Sequence, residues 1–164
     1  MSRIHSLKLA VSKFLCSGFI SFSPGTIGTL LGVIIYYFTS SHIYIYFPIL
    51  VIIVFLGIYA ANFYEKNISK IKNSNTVFID EVAGYLVTMI SFPFNPLNVL
   101  QSLKFMMLGF IIFRIFDIWK PYPVKHFGNL SGGKGILLDD IMAGIYANLI
   151  LQFIRWQPNY NDLF

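Results

Sequence analysis

Residues 97–119 read LNVLQSLKFMMLGFIIFRIFDIW, an apolar run whose only charges are Lys104, Arg114 and Asp117. A helix needs about 20 predominantly apolar residues to cross a bilayer, and this stretch supplies them. Four more runs approach the same requirement. They are 28–39, reaching back through 19–22 if the helix starts early; 43–63, with Pro48 near the start, where proline is tolerated; 78–92, short and opening on two carboxylates; and 136–155. Ahead of them, residues 4–19 alternate basic and apolar side chains at helical spacing, which suits an amphipathic helix lying on the interface. The expected fold class is all-α: a polytopic helical membrane protein with about five membrane-embedded helices plus the N-terminal amphipathic one.

Composition agrees with this expectation. The chain has 164 residues, 56% hydrophobic and 12% charged, with a mean hydropathy of +0.68, whereas soluble domains carry about 25% charged residues. Its length fits one domain, 1–164. Aromatic residues at 18% and a single cysteine exclude disorder and a disulfide scaffold. Cys16 has no thiol partner and reads as a small buried hydrophobe. Lys8 and Lys13 interrupt any signal-peptide core, so the N-terminus is expected to be retained.

The net charge of +5 does not point to nucleic acid, because the basic residues are not clustered on a solvated face with interleaved aromatics. They fill alternate gaps between the apolar runs. Arg3, Lys8 and Lys13 precede the first run, Lys66, Lys70 and Lys72 follow the second, and Lys120, Lys125 and Lys134 follow the fourth. The connections at 40–42 and 93–96 hold neither Lys nor Arg. By the positive-inside rule the N-terminus and the two basic loops face the cytoplasm, where they meet anionic headgroups.

Of the seven acids, Glu65 and Asp162 sit in polar stretches; Asp80, Glu81, Asp117, Asp139 and Asp140 each lie near the cytoplasmic end of a run. A carboxylate at a membrane helix centre costs about 2.5–3.5 kcal/mol, less near the interface, so acids gathered there mark a site. Asp80-Glu81-Val82-Ala83-Gly84 and Asp140-Ile141-Met142-Ala143-Gly144 share the pattern Asp-x-x-Ala-Gly, either an internal repeat or a coincidence. In both, glycine falls one turn from the aspartate on the same helix face and admits a close neighbour. Both acid pairs are expected to open their helices, where the dipole favours anions. Oxygen-only ligands suit a hard cation such as Mg²⁺. The three histidines, His5, His42 and His126, lack metal-ligand spacing.

Glycine-rich segments add an anion-binding half. Ser131-Gly132-Gly133-Lys134-Gly135 is expected as a loop before the last helix and Pro24-Gly25-Thr26 as one before the first, each offering backbone N–H groups to a phosphate. Arg114, Asp117 and Lys120 share one helix face at i, i+3, i+6, and Lys120-Pro121-Tyr122-Pro123 stops that helix.

Taken in order, Pro24-Gly25-Thr26 with Gly28-Thr29, Asp80-Glu81 with Gly84, Phe113-Arg114 with Asp117, Lys120-Pro121 with Pro123, and Gly132-Gly133 with Gly135-Ile136, Asp139-Asp140 and Ala143-Gly144 resemble bacterial phosphatidylglycerophosphatase A over residues 14–155. Thr29 stands where that family is expected to have Ser, and Tyr122 where Trp is common. The resemblance implies an all-helical, Mg²⁺-dependent, multi-pass enzyme of the bacterial inner membrane. It would hydrolyse the lipid phosphatidylglycerophosphate to phosphatidylglycerol and phosphate, with its active site facing the cytoplasm.

In that reading Asp80, Glu81, Asp139 and Asp140 bind the metal directly or through water. Arg114 and Lys120, with Lys134 as a further candidate, neutralise the phosphoryl group, and Asp117 either orients Arg114 or joins the metal shell. Spacing leaves open whether water or an aspartate attacks, and no pattern encodes an oligomeric state. Other phosphatase signatures are missing: neither a Cys-x5-Arg loop, an Asp-x-Asp-x-Thr motif nor a phosphohistidine pair occurs. The competing class is a cation-coupled transporter or scaffold using the same carboxylates, disfavoured because the acids lie at one end rather than near the midplane.

Overall fold

Residues 24–67, 78–128 and 133–157 are described by the computed structural model, and among them every regular element is a helix. The amphipathic segment 4–19, Cys16, the extension 19–22, Lys70, Lys72, Gly132 and the tail with Asp162 lie outside these residues. The elements are α1 (Pro24–Thr39), α2 (Ile43–Asn67), α3 (Ile79–Met89), α4 (Val99–Trp119), α5 (Val124–Gly128) and α6 (Gly133–Trp156).

Local sequence explains where these helices begin and end. Pro24 opens α1, a position whose N–H would have no helical partner in any case. Pro48 lies inside α2 near its start, and the helix continues through it. α4 stops at Trp119 because Lys120, with φ of 44°, turns left-handed ahead of Pro121, and a residue before proline is disfavoured in the right-handed helical region. The short α5 was not expected; it follows once Pro121 and Pro123 have redirected the chain.

Three helices contain stretches long and apolar enough to cross a membrane: Ile43–Ala60, Val99–Trp119 and Leu137–Trp156, with Gly25–Thr39 shorter. The expected third span is instead a helix of 11 residues, roughly 16 Å long against a hydrocarbon core of about 30 Å. This short helix is the centre of the bundle. It packs most extensively on α6, then on α1, α2 and α4. Ala83, Tyr85 and Leu86 on it are fully buried.

A helix that ends inside a membrane protein leaves carbonyls without water, so they need partners from the protein. Here the partners come from three other helices. Tyr46 of α2 donates to the Leu86 carbonyl, Asn148 of α6 donates to the Thr88 carbonyl at 2.7 Å, and Tyr36 of α1 donates to the Phe92 carbonyl just beyond the helix. The same tyrosines form the aromatic core, with Tyr36 edge-on to Tyr46 and to Tyr85, each at 6.3 Å between centroids. Outward faces are apolar, as lipid requires: Phe38, Phe55, Ile118 and Phe153 are exposed.

The two Asp-x-x-Ala-Gly motifs cross at their glycines, so each glycine does admit a close neighbour as expected. A Cβ on Gly144 would collide with the Gly84 carbonyl, and one on Gly84 would stand 2.7 Å from the Asp140 carbonyl and 2.6 Å from the Phe113 ring. The α3–α6 crossing therefore holds Asp80 and Asp140 one turn away from a shared contact.

Candidate active site

Asp80 and Glu81 occupy the first turn of α3, where no side chain caps the helix and the positive end of the dipole favours them. Asp139 and Asp140 differ from expectation. Because α6 starts at Gly133, they do not open the helix; its first turn contains no acid. The glycine-rich segment read as a loop is partly helix, since Gly133, Lys134 and Gly135 form the first turn of α6, and Pro24, Gly25 and Thr26 likewise form the first turn of α1. Packing against neighbouring helices has overridden the low helix propensity of glycine.

These helix ends bring the carboxylates together. One oxygen each from Asp80, Glu81 and Asp140 lie within 4.8 Å of one another. Asp80 and Asp140 are buried, at 6% and 3% exposure, and the buried Oε2 of Glu81 has no hydrogen-bond partner among the described residues. Buried carboxylates this close repel one another unless a cation sits between them. An oxygen-only set with an unspent oxygen fits a hard divalent ion. Among the described residues no histidine joins the group, and His42 and His126 are exposed.

Two cations from the end of α4 border the cluster. Arg114 Nη1 donates to Asp117 Oδ2 at 2.5 Å, which holds the guanidinium in place. Both Arg114 and Glu81 stand against Gly25: a Cβ there would lie 2.7 Å from Arg114 Nη1 and 2.7 Å from Glu81 Oε1. Glycine at this position thus lets α1 close over the two charged groups.

Lys120 bridges the remaining acids. Its Nζ donates to Asp139 Oδ2 at 2.6 Å and lies 3.6 Å from Asp140 Oδ1 and 3.9 Å from Asp117 Oδ1. Burial by itself lowers the pKa of this ammonium, but the carboxylates of Asp140, Asp139 and Asp117 outweigh it and hold the pKa above the ordinary lysine value. A left-handed conformation costs a residue with a Cβ roughly 1–2 kcal/mol. At Lys120 that conformation turns the side chain back toward the acids.

Asp139 is therefore beside Lys120 rather than in the three-oxygen group, although its buried Oδ1 also lacks a partner among the described residues. Gly128 of α5 lies against it; a Cβ there would come within 2.9 Å of Oδ2. Nothing in the sequence signalled Gly128, whereas the Lys-Pro step did mark Lys120. The side chains of Pro24 and Lys134 are not among those described, nor is that of Glu65.

An all-helical bundle with membrane-length helices, carboxylates gathered at one end that could hold a metal ion, and an arginine and a lysine at their border defines a class: a membrane protein with an acidic cluster flanked by cations. The sequence model of the phosphatidylglycerophosphatase A family matches residues 10–155, and the chain belongs to that family. Its members are phosphoric monoester hydrolases, which sets aside the transporter or scaffold reading.

Among named relatives, a "Putative phosphatidylinositol-3-phosphatase" of Bacteroides thetaiotaomicron is 32% identical, over 95% of this chain and 98% of the relative. The phosphatidylglycerophosphatase A of Escherichia coli is 31% identical, over 84% of this chain and 77% of its own length. That of Haemophilus influenzae is 30% identical, over 85% and 83%. No solved structure matches the chain.

Proposed function

We propose that this chain, acting as one domain, hydrolyses the terminal phosphomonoester of phosphatidylglycerophosphate to phosphatidylglycerol and phosphate, with Mg²⁺ at Asp80, Glu81 and Asp140. The observation that carries the reading is the meeting of those three carboxylates, one with an unspent oxygen, beside Arg114. A hard divalent ion bound there supplies positive charge to the phosphoryl oxygens.

The remaining steps belong to the chain's own residues. Arg114 binds phosphoryl oxygen through the guanidinium donors that Asp117 does not occupy. Asp117 fixes the direction of that fork. Lys120 neutralises Asp139 and Asp140 in the resting site and keeps a positive charge at the edge where a dianionic headgroup arrives. The alternation of Lys and Arg along the chain supports a cytoplasmic site in a bacterial inner membrane.

The relative matched over nearly its full length carries the name of a phosphoinositide phosphatase, so a phosphorylated inositol headgroup is the second reading. The two share a phosphomonoester on a lipid and differ in what surrounds it. Purified protein in mixed micelles, offered each lipid in turn, should release phosphate faster from phosphatidylglycerophosphate. Excess chelator should abolish release, and Mg²⁺ should restore it better than Ca²⁺, whose looser coordination positions phosphate less well. Preference for the inositol lipid would select the second reading, and full activity in chelator would remove the metal. Orientation is tested with cysteine at position 125 or 95 on a Cys16→Ser background: an impermeant thiol reagent should label only position 95 in intact cells.

A further inference from the structure

At the end of the bundle opposite the acids lies a cavity of about 320 Å³, walled by Tyr36, Phe92, Asn95, Gln101, Ser102 and Arg155. Two helices fix its level independently. Arg155 is about 22 Å along α6 from Asp140, and Ser102 is about 22 Å along α4 from Asp117. Both lie toward the far ends of the apolar stretches Leu137–Trp156 and Val99–Trp119. The cavity thus falls where the headgroups of the opposite leaflet meet the hydrocarbon.

The cation in this wall is held in place. The Arg155 guanidinium stands 5.7 Å from the centroid of the Phe92 ring, and its Nη1 donates to the Ser91 carbonyl at 3.5 Å. Arginine has five N–H donors, and this bond occupies one. Every described carboxylate side chain belongs to the acid cluster at the other end, and among the described residues Arg155 makes no ion pair.

Neighbouring polar atoms are engaged with the wall itself. The Tyr36 hydroxyl serves the Phe92 carbonyl, Ser102 Oγ pairs with the backbone of Asn95, and Asn95 Oδ1 accepts from the Leu97 N–H. The amino end of α4, which carries Gln101 and Ser102, has no side-chain cap at Asn98 and adds the positive end of a helix dipole. Among the described residues the wall therefore offers positive charge and N–H donors, and no carboxylate for a choline or ethanolamine ammonium. Around it Leu97, Leu100 and Trp156 are exposed, as suits contact with acyl chains and the interface.

We propose that this cavity binds the phosphate of an anionic phospholipid in the leaflet opposite the acid cluster, with Arg155 as its counterion. Inorganic phosphate has the same oxygen chemistry; the apolar rim favours the lipid. Full-length protein in detergent is incubated with dioleoyl phosphatidylglycerol, dioleoyl phosphatidylcholine or inorganic phosphate, and retained adducts are measured by native mass spectrometry.

Wild type should retain one phosphatidylglycerol in preference to phosphatidylcholine. Arg155→Gln should lower that retention roughly tenfold, the size of one lost charge-assisted contact. Arg155→Lys, which keeps the charge without the planar fork, should fall between them and serves as the comparison if Arg155→Gln does not fold. Inorganic phosphate retained with the same Arg155 dependence supports the anion site and assigns it to a soluble ligand. Equal retention of the two lipids, or retention indifferent to both Arg155 substitutions, overturns the proposal.

Discussion

α3 and α6 carry the same Asp-x-x-Ala-Gly pattern and stabilise its aspartate by different means. In α3 the acids stand in the first turn, where backbone N–H groups are unspent and the dipole is favourable. In α6 they lie beyond the first turn, where those donors already serve the helix, and the compensating charge arrives from outside as Lys120. The glycine does the same thing in both, setting the crossing of the two helices. The shared pattern thus encodes where the helices meet; what surrounds each acid is set by where its helix begins.

The comparison breaks most readily at the acids themselves. Asp80→Asn and Asp140→Asn each keep size and hydrogen bonding while removing a charge a divalent ion needs, so activity should fall at least about 10²-fold, roughly 2.7 kcal/mol of transition-state stabilisation. Loss at one but not the other would mean the motifs do not share a ligand. Glu65→Gln and Asp162→Asn, both in polar stretches of the sequence away from the acid motifs, should match wild type in the same assay.

Next in size is the crossing. Gly144→Ala places a methyl group on the Gly84 carbonyl, and overpacking of this kind costs about 1–3 kcal/mol. Thermal unfolding in detergent should show a lowered midpoint, together with lost activity as the aspartates part. A wild-type midpoint with full activity would show that the helices separate freely.

The smallest effect sharpens the difference between the two motifs. Lys120→Met should reduce the rate about tenfold, or some 1.4 kcal/mol, because Asp139 and Asp140 lose their counterion. Asp139→Asn should cost no more, since it removes only the Lys120–Asp139 pair while Lys120→Met also unpairs Asp140, and the double substitution should be little worse than Lys120→Met alone. The Mg²⁺ concentration for half-maximal activity should barely move in these variants, in contrast to Asp80→Asn. A large shift with Asp139→Asn would return Asp139 to the metal.

The sequence made much of this legible. Charge placement alone singled out five acids for one end of the bundle, because an unpaired carboxylate in a membrane protein has few tolerable positions. The glycine spacing of the two motifs correctly foretold a close approach. The length of α3 was not legible: residues 78–92 are mostly apolar after the acids, with only Thr88 and Ser91 as hydroxyl side chains besides Tyr85, and the tertiary partners of Leu86, Thr88 and Phe92 allow the helix to stop early. The starts of α1 and α6 were misplaced for a related reason, since glycines that usually mark a loop here permit helices to touch. The inward turn of Lys120 depends on a single left-handed residue, which the Lys-Pro step marks as a helix stop without giving its direction.

The borrowed hydrogen bonds at the end of α3 also bear on the order in which the protein is assembled. Synthesis runs from the amino end, so Tyr36 and Tyr46 reach the bilayer before α3, whereas Asn148 follows only with the last helix. When α3 emerges it is too short to span, carries two carboxylates, and still lacks the donor for Thr88 and the lysine and aspartates of the completed cluster. α3 therefore has its full set of partners only once α6 is in place. Because Asn148 secures one end of α3 and Asp140 completes the acid group at the other, one late helix supplies both the last partner of α3 and the last member of the site it serves.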